Sequence, residues 1–163
     1  MNRMNAPHES LALLFGELID GPTPHAAYML NSGDRGLLQS LDDLSAQAAS
    51  ASPVTGGASI AAHVDHLRYG LSLMNRWTDG DPDPWSDADW RASWNRTTVT
   101  SAQWTVLRAQ LSAEARRWQT ALRTAREVSL QELNGVIGSI AHLAYHLGAI
   151  RQIDRSIRGP QAS

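Results

Sequence analysis

The sequence predicts an all-α protein, a four-helix bundle with at least one crossover connection. Apolar residues recur at steps of three and four along successive stretches, which is helical spacing. Hydroxyl residues followed three positions later by Glu or Gln stand ahead of two of the long stretches, the signature of a capping box. The links between the long stretches differ in length, and the gap after Trp77 is long enough to cross a bundle. At 163 residues one domain spanning 1–163 is expected, with loose tails at 1–7 and 159–163.

The elements follow in order. His8 to Ile19 carries Leu11, Leu14, Phe15 and Leu18, a short helix stopped at Asp20-Gly-Pro-Thr-Pro24. A short apolar patch, Ala26 to Leu30, ends at Asn31-Ser-Gly33. Asp34 is read as the cap of a helix reaching about Ala48, with Leu37, Leu38, Leu41 and Leu44 as its stripe. Ser50 to Gly57, rich in Ser, Pro and Gly, reads as a loop. Ser59 caps a helix to about Thr78 whose Ile60, Val64, Leu67, Leu71 and Met74 form an amphipathic series. Asp65, Arg68, Tyr69, Ser72 and Arg76 are assigned to its wet face. After Asp79-Gly-Asp-Pro-Asp-Pro84 a connection holds Trp85, Trp90 and Trp94. Thr100 and Gln103 box the start of a helix to about Arg126, with Trp104, Leu107, Leu111, Ala115, Trp118 and Leu122 facing inward. Ser129 and Glu132 box the last helix, whose apolar positions are Leu133, Val136, Ile137, Ile140, Leu143, Ala144, Leu147 and Ile150.

Composition excludes several chemistries. The chain has no cysteine, so disulfides, thiolate ligands and a protein thiol nucleophile are ruled out. All 14 basic residues are Arg, which removes lysine Schiff-base chemistry. A net charge of −2 provides no field to recruit nucleic acid or an anionic membrane. Leu11 to Glu17 is too short and too charged for a signal peptide or a span, so the cytoplasm is the expected location.

The chemistry is concentrated in the last helix. His142 and His146 are one turn apart and stand one above the other, so both can reach a single ion. His66, on the buried flank of another long helix, is the best third ligand. Three neutral imidazoles suit Zn²⁺, Ni²⁺ or Fe²⁺ and leave a coordination position open. Taken alone, the His-x-x-x-His pair reads equally as two ordinary helix histidines, and His63 reads as a core-edge histidine. Gly135, Ser139 and Ala149 share the same stripe and keep one wall low. Trp77, Trp90 and Trp94 either wall a cavity or pack in the core, while Trp104 and Trp118 read as core. Arg151 on the apolar arc either clamps a substrate carboxylate or pairs with an acid such as Asp34 or Asp42.

Two segments carry a family resemblance. Ser59-Ile-Ala-Ala-His-Val-Asp-His66-Leu67 and His142-Leu-Ala-Tyr-His146-Leu-Gly-Ala-Ile150 resemble the two signatures of the DinB/YfiT-like metalloenzymes, and Asp89 to Trp94 resembles their Trp-containing connection. The resemblance spans roughly Ser59 to Ile157. It implies a four-helix bundle with one divalent metal on His66, His142 and His146, not His63. Ala62 and Ala149 depart from the family's frequent acidic residue and Gln. The resemblance also implies a transferase or isomerase using a low-molecular-weight thiol, such as mycothiol, on a small-molecule substrate. A metal-dependent hydrolase and a non-catalytic metal-binding or stress-related module are the alternatives, and homodimerisation stays open. No Glu lies between the two ligand histidines of the last helix, which argues against peptidase chemistry.

Overall fold

The computed structural model of the protein describes residues 6–52 and 56–157. Over these residues it is helical apart from one isolated bridge between Thr23 and Ala26. The elements are α1 (Ala6–Asp20), α2 (Leu37–Asp42), α3 (Ala46–Ser50), α4 (Ile60–Thr78), α5 (Ser101–Arg123) and α6 (Leu130–Ile153), with 3₁₀ turns at Ala92–Trp94 and Arg155–Ile157. The tails expected at 1–7 and 159–163 lie outside the described residues, except that Ala6 and Pro7 belong to α1.

The long helices start where their caps sit. Ser59 Oγ accepts the Ala62 N–H at the head of α4, and both expected capping boxes form, Thr100 with Gln103 and Ser129 with Glu132. Each satisfies backbone donors that the first turn leaves without partners. All six inward positions of α5 are buried, as are Ile60, Val64, Leu67, Leu71 and Met74 of α4.

Three expectations need correction. No helix runs from Asp34 to Ala48. The segment is two short helices, broken after the tandem Asp42-Asp43, with Ser45 capping the second through the Ala48 N–H. Gly36 is the N-cap residue of α2, and a Cβ there would come 2.3 Å from the Gly21 nitrogen, so this stretch lies flat on the end of α1. Asp34 instead pairs with Arg151 at 2.9 Å and accepts the Asn31 N–H. Second, Asp65 is not on a wet face. It is 6% exposed and binds Arg68 and Arg96. Third, Leu133 and Ile137, counted with the apolar positions of α6, are exposed.

Contacts fix the directions of the helices. Ser59 bonds Thr97, Asn75 bonds Glu114, and Asp79 pairs with Arg117. The offset in residue number stays nearly constant, so α4 and α5 run parallel. Parallel neighbours need a connection that returns the full height of the pair, and residues 79–100 supply it. They lie back along α4: Asp89 N–H donates to Tyr69 Oη, His66 meets Ser93, Arg96 pairs with Asp65, and Thr97 meets Ser59. α6 runs antiparallel to α4, setting His142 against His66 and His146 against His63. In α1, buried Glu17 accepts the backbone N–H groups of Tyr28, Met29 and Leu30 at 2.7–3.0 Å. No helix among the described residues is long and apolar enough to cross a membrane.

The Asp34–Arg151 pair ties α6 to the start of α2. The Asp34 carboxylate is 1% exposed and the Arg151 side chain 15%. Removing one partner strands a buried charge, at a cost of about 3–5 kcal/mol. Arg151→Ala is therefore expected to lower the urea midpoint strongly. A midpoint within error of the wild type would show that the pair does not hold these segments together.

Candidate metal centre

Four imidazoles meet between α4 and α6. His63 and His66 are one turn apart on α4, and His142 and His146 one turn apart on α6, so the antiparallel packing interleaves them. His66 Nε2 lies 3.2 Å from His142 Nε2, and His142 Nε2 lies 2.9 Å from His146 Nε2. The ligand atoms of His66, His142 and His146 all fall within 4.8 Å of one another, and together they can hold a metal ion. Nitrogens bind zinc-like ions at about 2.0–2.1 Å, so spacings near 3 Å correspond to roughly right-angled neighbours on one ion. The donor set therefore fits a divalent metal.

Hydrogen bonds behind the ring set the tautomer of His66. Ser93 Oγ donates its one hydrogen to the Trp90 carbonyl at 2.7 Å. Toward His66 Nδ1, also 2.7 Å away, Ser93 Oγ must therefore act as the acceptor. His66 consequently carries its proton on Nδ1 and turns a bare Nε2 lone pair toward His142. His146 is held similarly: its Nδ1 faces His63 Nδ1 at 2.7 Å, leaving Nε2 for the shared centre. Such outer partners orient metal-ligating rings and raise their basicity. Trp94 lies over the group, stacked on His66 with centroids 4.2 Å apart and edge-on to His63.

Burial keeps these rings neutral. It drives His66 down to about 4 and His146 down to about 3, with repulsion from neighbouring histidines adding to the shift. His63 and His142 are lowered by burial as well. Neutral imidazoles are the form that binds metal.

A cavity of about 320 Å³ opens onto His66 and His142. Trp85 and Trp90, each about 40% exposed, form its rim on the return connection. Gly70, Gly135, Gly138 and Ser139 line its low wall. Ser139 Oγ accepts from Trp118 Nε1 at 3.0 Å and donates to the Val136 carbonyl, so it is internally satisfied.

The sequence-predicted residues are distributed as follows. His66, His142 and His146 come together, and Trp90 and Ser139 line the cavity. Trp94 walls the histidines from behind and is not part of the cavity lining. Trp77 packs on Trp118 beneath Arg126. Arg151 is engaged with Asp34 and the Arg35 carbonyl, and neither it nor Ala149 lines the cavity. Three participants were missed: His63 as the partner of His146, Ser93 and Gly138. Gly138 is detectable, since it sits four residues before His142 on the same face. Ser93 is not, because its role depends on the return path of the connection.

No family model matches the chain, and no curated protein or solved structure is significantly similar to it. The three-histidine centre and its cavity therefore define the candidate class.

The depressed histidines make the metal-free protein acid-sensitive. In the unfolded chain imidazoles titrate near ~6.5, so below that pH the unfolded state binds more protons than the folded one, and stability falls with pH. The contribution of His66 is complete above pH ~6.5 and is lost as the pH drops through about 4. Urea midpoints of metal-free protein should fall between about pH 7.5 and about pH 4.5, and fall less in a His66→Gln variant. Equal losses in both proteins would contradict the burial argument.

Proposed function

We propose that this chain is a divalent-metal-dependent enzyme built on a four-helix bundle of the DinB/YfiT-like kind. The reading is supported chiefly by one observation: the imidazoles of His66 and His142, two of the three clustered histidines, line a cavity large enough for a small molecule. A purely structural site would instead be closed by a fourth protein ligand. The parallel α4–α5 pair with its crossover, together with the two histidine segments, supports the family assignment.

The residues of the chain have distinct tasks in this reading. His66, His142 and His146 hold the ion, Ser93 keeps His66 in the binding tautomer, and His63 orients His146 and would accept its Nδ1 proton with the ion bound. Trp94 and α4 screen the rear of the centre from water, so exchange occurs through the cavity. When bound, the ion supplies Lewis acidity, by which a coordinated thiol or water gives up its proton near neutral pH. Apart from the histidines assigned to the ion, the cavity lining contains no carboxylate or other general base. That favours a reactant activated by coordination alone, and a low-molecular-weight thiol meets this condition best. The same absence is the observation behind the second reading, a non-catalytic metal-binding module, and it weighs against a hydrolase.

His142→Ala or His146→Ala is expected to abolish stoichiometric binding of Zn²⁺, Ni²⁺ or Fe²⁺, and His66→Ala to weaken it severely. His63→Ala should retain metal with ~10–100-fold lower affinity, the usual effect of losing an orienting partner. Metal analysis and competition titration measure all four. Full metal in the His66 variant with none in the His63 variant would reassign the ligand on α4.

A cobalt-substituted sample tests the activation step. Millimolar thiol should change its visible spectrum by entering the open position. An unchanged spectrum would remove the thiol reading and leave the binding module as the better account.

A further inference from the structure

We infer that the part of the substrate lying beside the metal is uncharged and apolar, a ring or compact hydrocarbon group seated between the Trp85–Trp90 rim and a glycine floor. The inference rests on the metal-enzyme reading and adds to it the substrate class.

Beyond the metal position itself, the cavity walls have no means of holding a charge. Apart from the neutral rings of His66 and His142, its lining contains no ionisable side chain; Leu67, Leu71, Met74 and Leu143 supply most of the remainder. Ser139 Oγ already has both a donor and an acceptor partner. A carboxylate or phosphate placed against these walls, away from the open metal position, would lose water without gaining a counter-ion, which is strongly unfavourable. Arg151, the cation in the sequence nearest to this helix face, is tied to Asp34 away from the cavity. One atom of the ligand must be polar to meet the open metal position; the rest meets carbon.

The floor is made of absent side chains. A Cβ added at Gly135 or Gly138 would meet no atom within 4 Å, and one at Gly70 would touch only the Trp90 ring at 3.6 Å and His142 Cε1 at 3.9 Å. Backbone sterics therefore do not require glycine at these positions, although glycine weakens a helix interior relative to other residues. What these glycines provide is volume in front of His142. The Trp85 and Trp90 faces opposite suit a flat apolar group.

The test uses cobalt-substituted protein and three probes with the same metal-binding head: imidazole, 4-phenylimidazole and 4-(4-carboxyphenyl)imidazole. Spectral titration should show 4-phenylimidazole binding about 30-fold more tightly than imidazole, the increment for burying one ring. The carboxylated probe should lose most of that gain. Gly135→Leu and Gly138→Leu, whose added Cβ would meet no atom within 4 Å, should each cut the gain to within a few fold while metal content stays at the wild-type value. A carboxylated probe as tight as the phenyl one, or a phenyl gain that survives both substitutions, overturns the inference and leaves the metal reading standing. If imidazole itself leaves the cobalt spectrum unchanged, the open metal position is lost, and both readings fall together.

Discussion

The candidate site depends on the return of residues 79–100 along α4. Because α4 and α5 run parallel, the chain must travel back the full height of the pair, and it does so against the histidine-bearing side of α4. Four polar contacts pin it there, from Asp89 with Tyr69 to Thr97 with Ser59. Two of the residues so placed, Ser93 and Trp94, fix the tautomer and the tilt of His66. Two more, Trp85 and Trp90, become the cavity rim. A short α4–α5 hairpin would have left α4 with the same histidines but with neither a tautomer lock nor a rim.

Buried Asp65 makes sense in this setting. A carboxylate at 6% exposure is costly unless its oxygens are satisfied, and here Arg68 from its own helix and Arg96 from the connection each take one oxygen. The Arg96 contact lies between those of Ser93 and Thr97. It therefore acts as a register mark, with a charge-assisted bond setting how far along α4 the connection lies. A slip of one residue in the connection would move Ser93 Oγ away from His66 Nδ1 and free the ring to take the other tautomer.

What could be read from the sequence follows from the range of each interaction. Caps and helical stripes are local, so Ser59, Thr100, Ser129 and the inward face of α5 were all legible. The histidines of the candidate centre were legible because i and i+4 on α6 share a face, and because the segment around His66 resembles a family signature. Asp65 was misplaced because amphipathic reasoning assigns a charged residue to solvent, whereas its two arginine partners, one of them 31 residues away, make burial tolerable. The supposed Asp34 cap failed for the same reason. A capping residue was available in sequence, but the chain spends it on Arg151, 117 residues away.

His63 shows most clearly how a site exceeds its ligand set. It lies one turn before His66, is buried to nearly the same extent, and yet its Nδ1 addresses His146 and not the common centre. Two facing Nδ1 atoms at 2.7 Å require one to donate and the other to accept. If His146 donates, its Nε2 is bare and joins the lone pairs of His66 and His142, which is the arrangement a cation needs. If His63 donates, His146 carries its proton on Nε2, aimed at His142 Nε2, which suits the metal-free state. Only the first setting presents three lone pairs, so a divalent ion held by His66, His142 and His146 would require His146 to donate to His63.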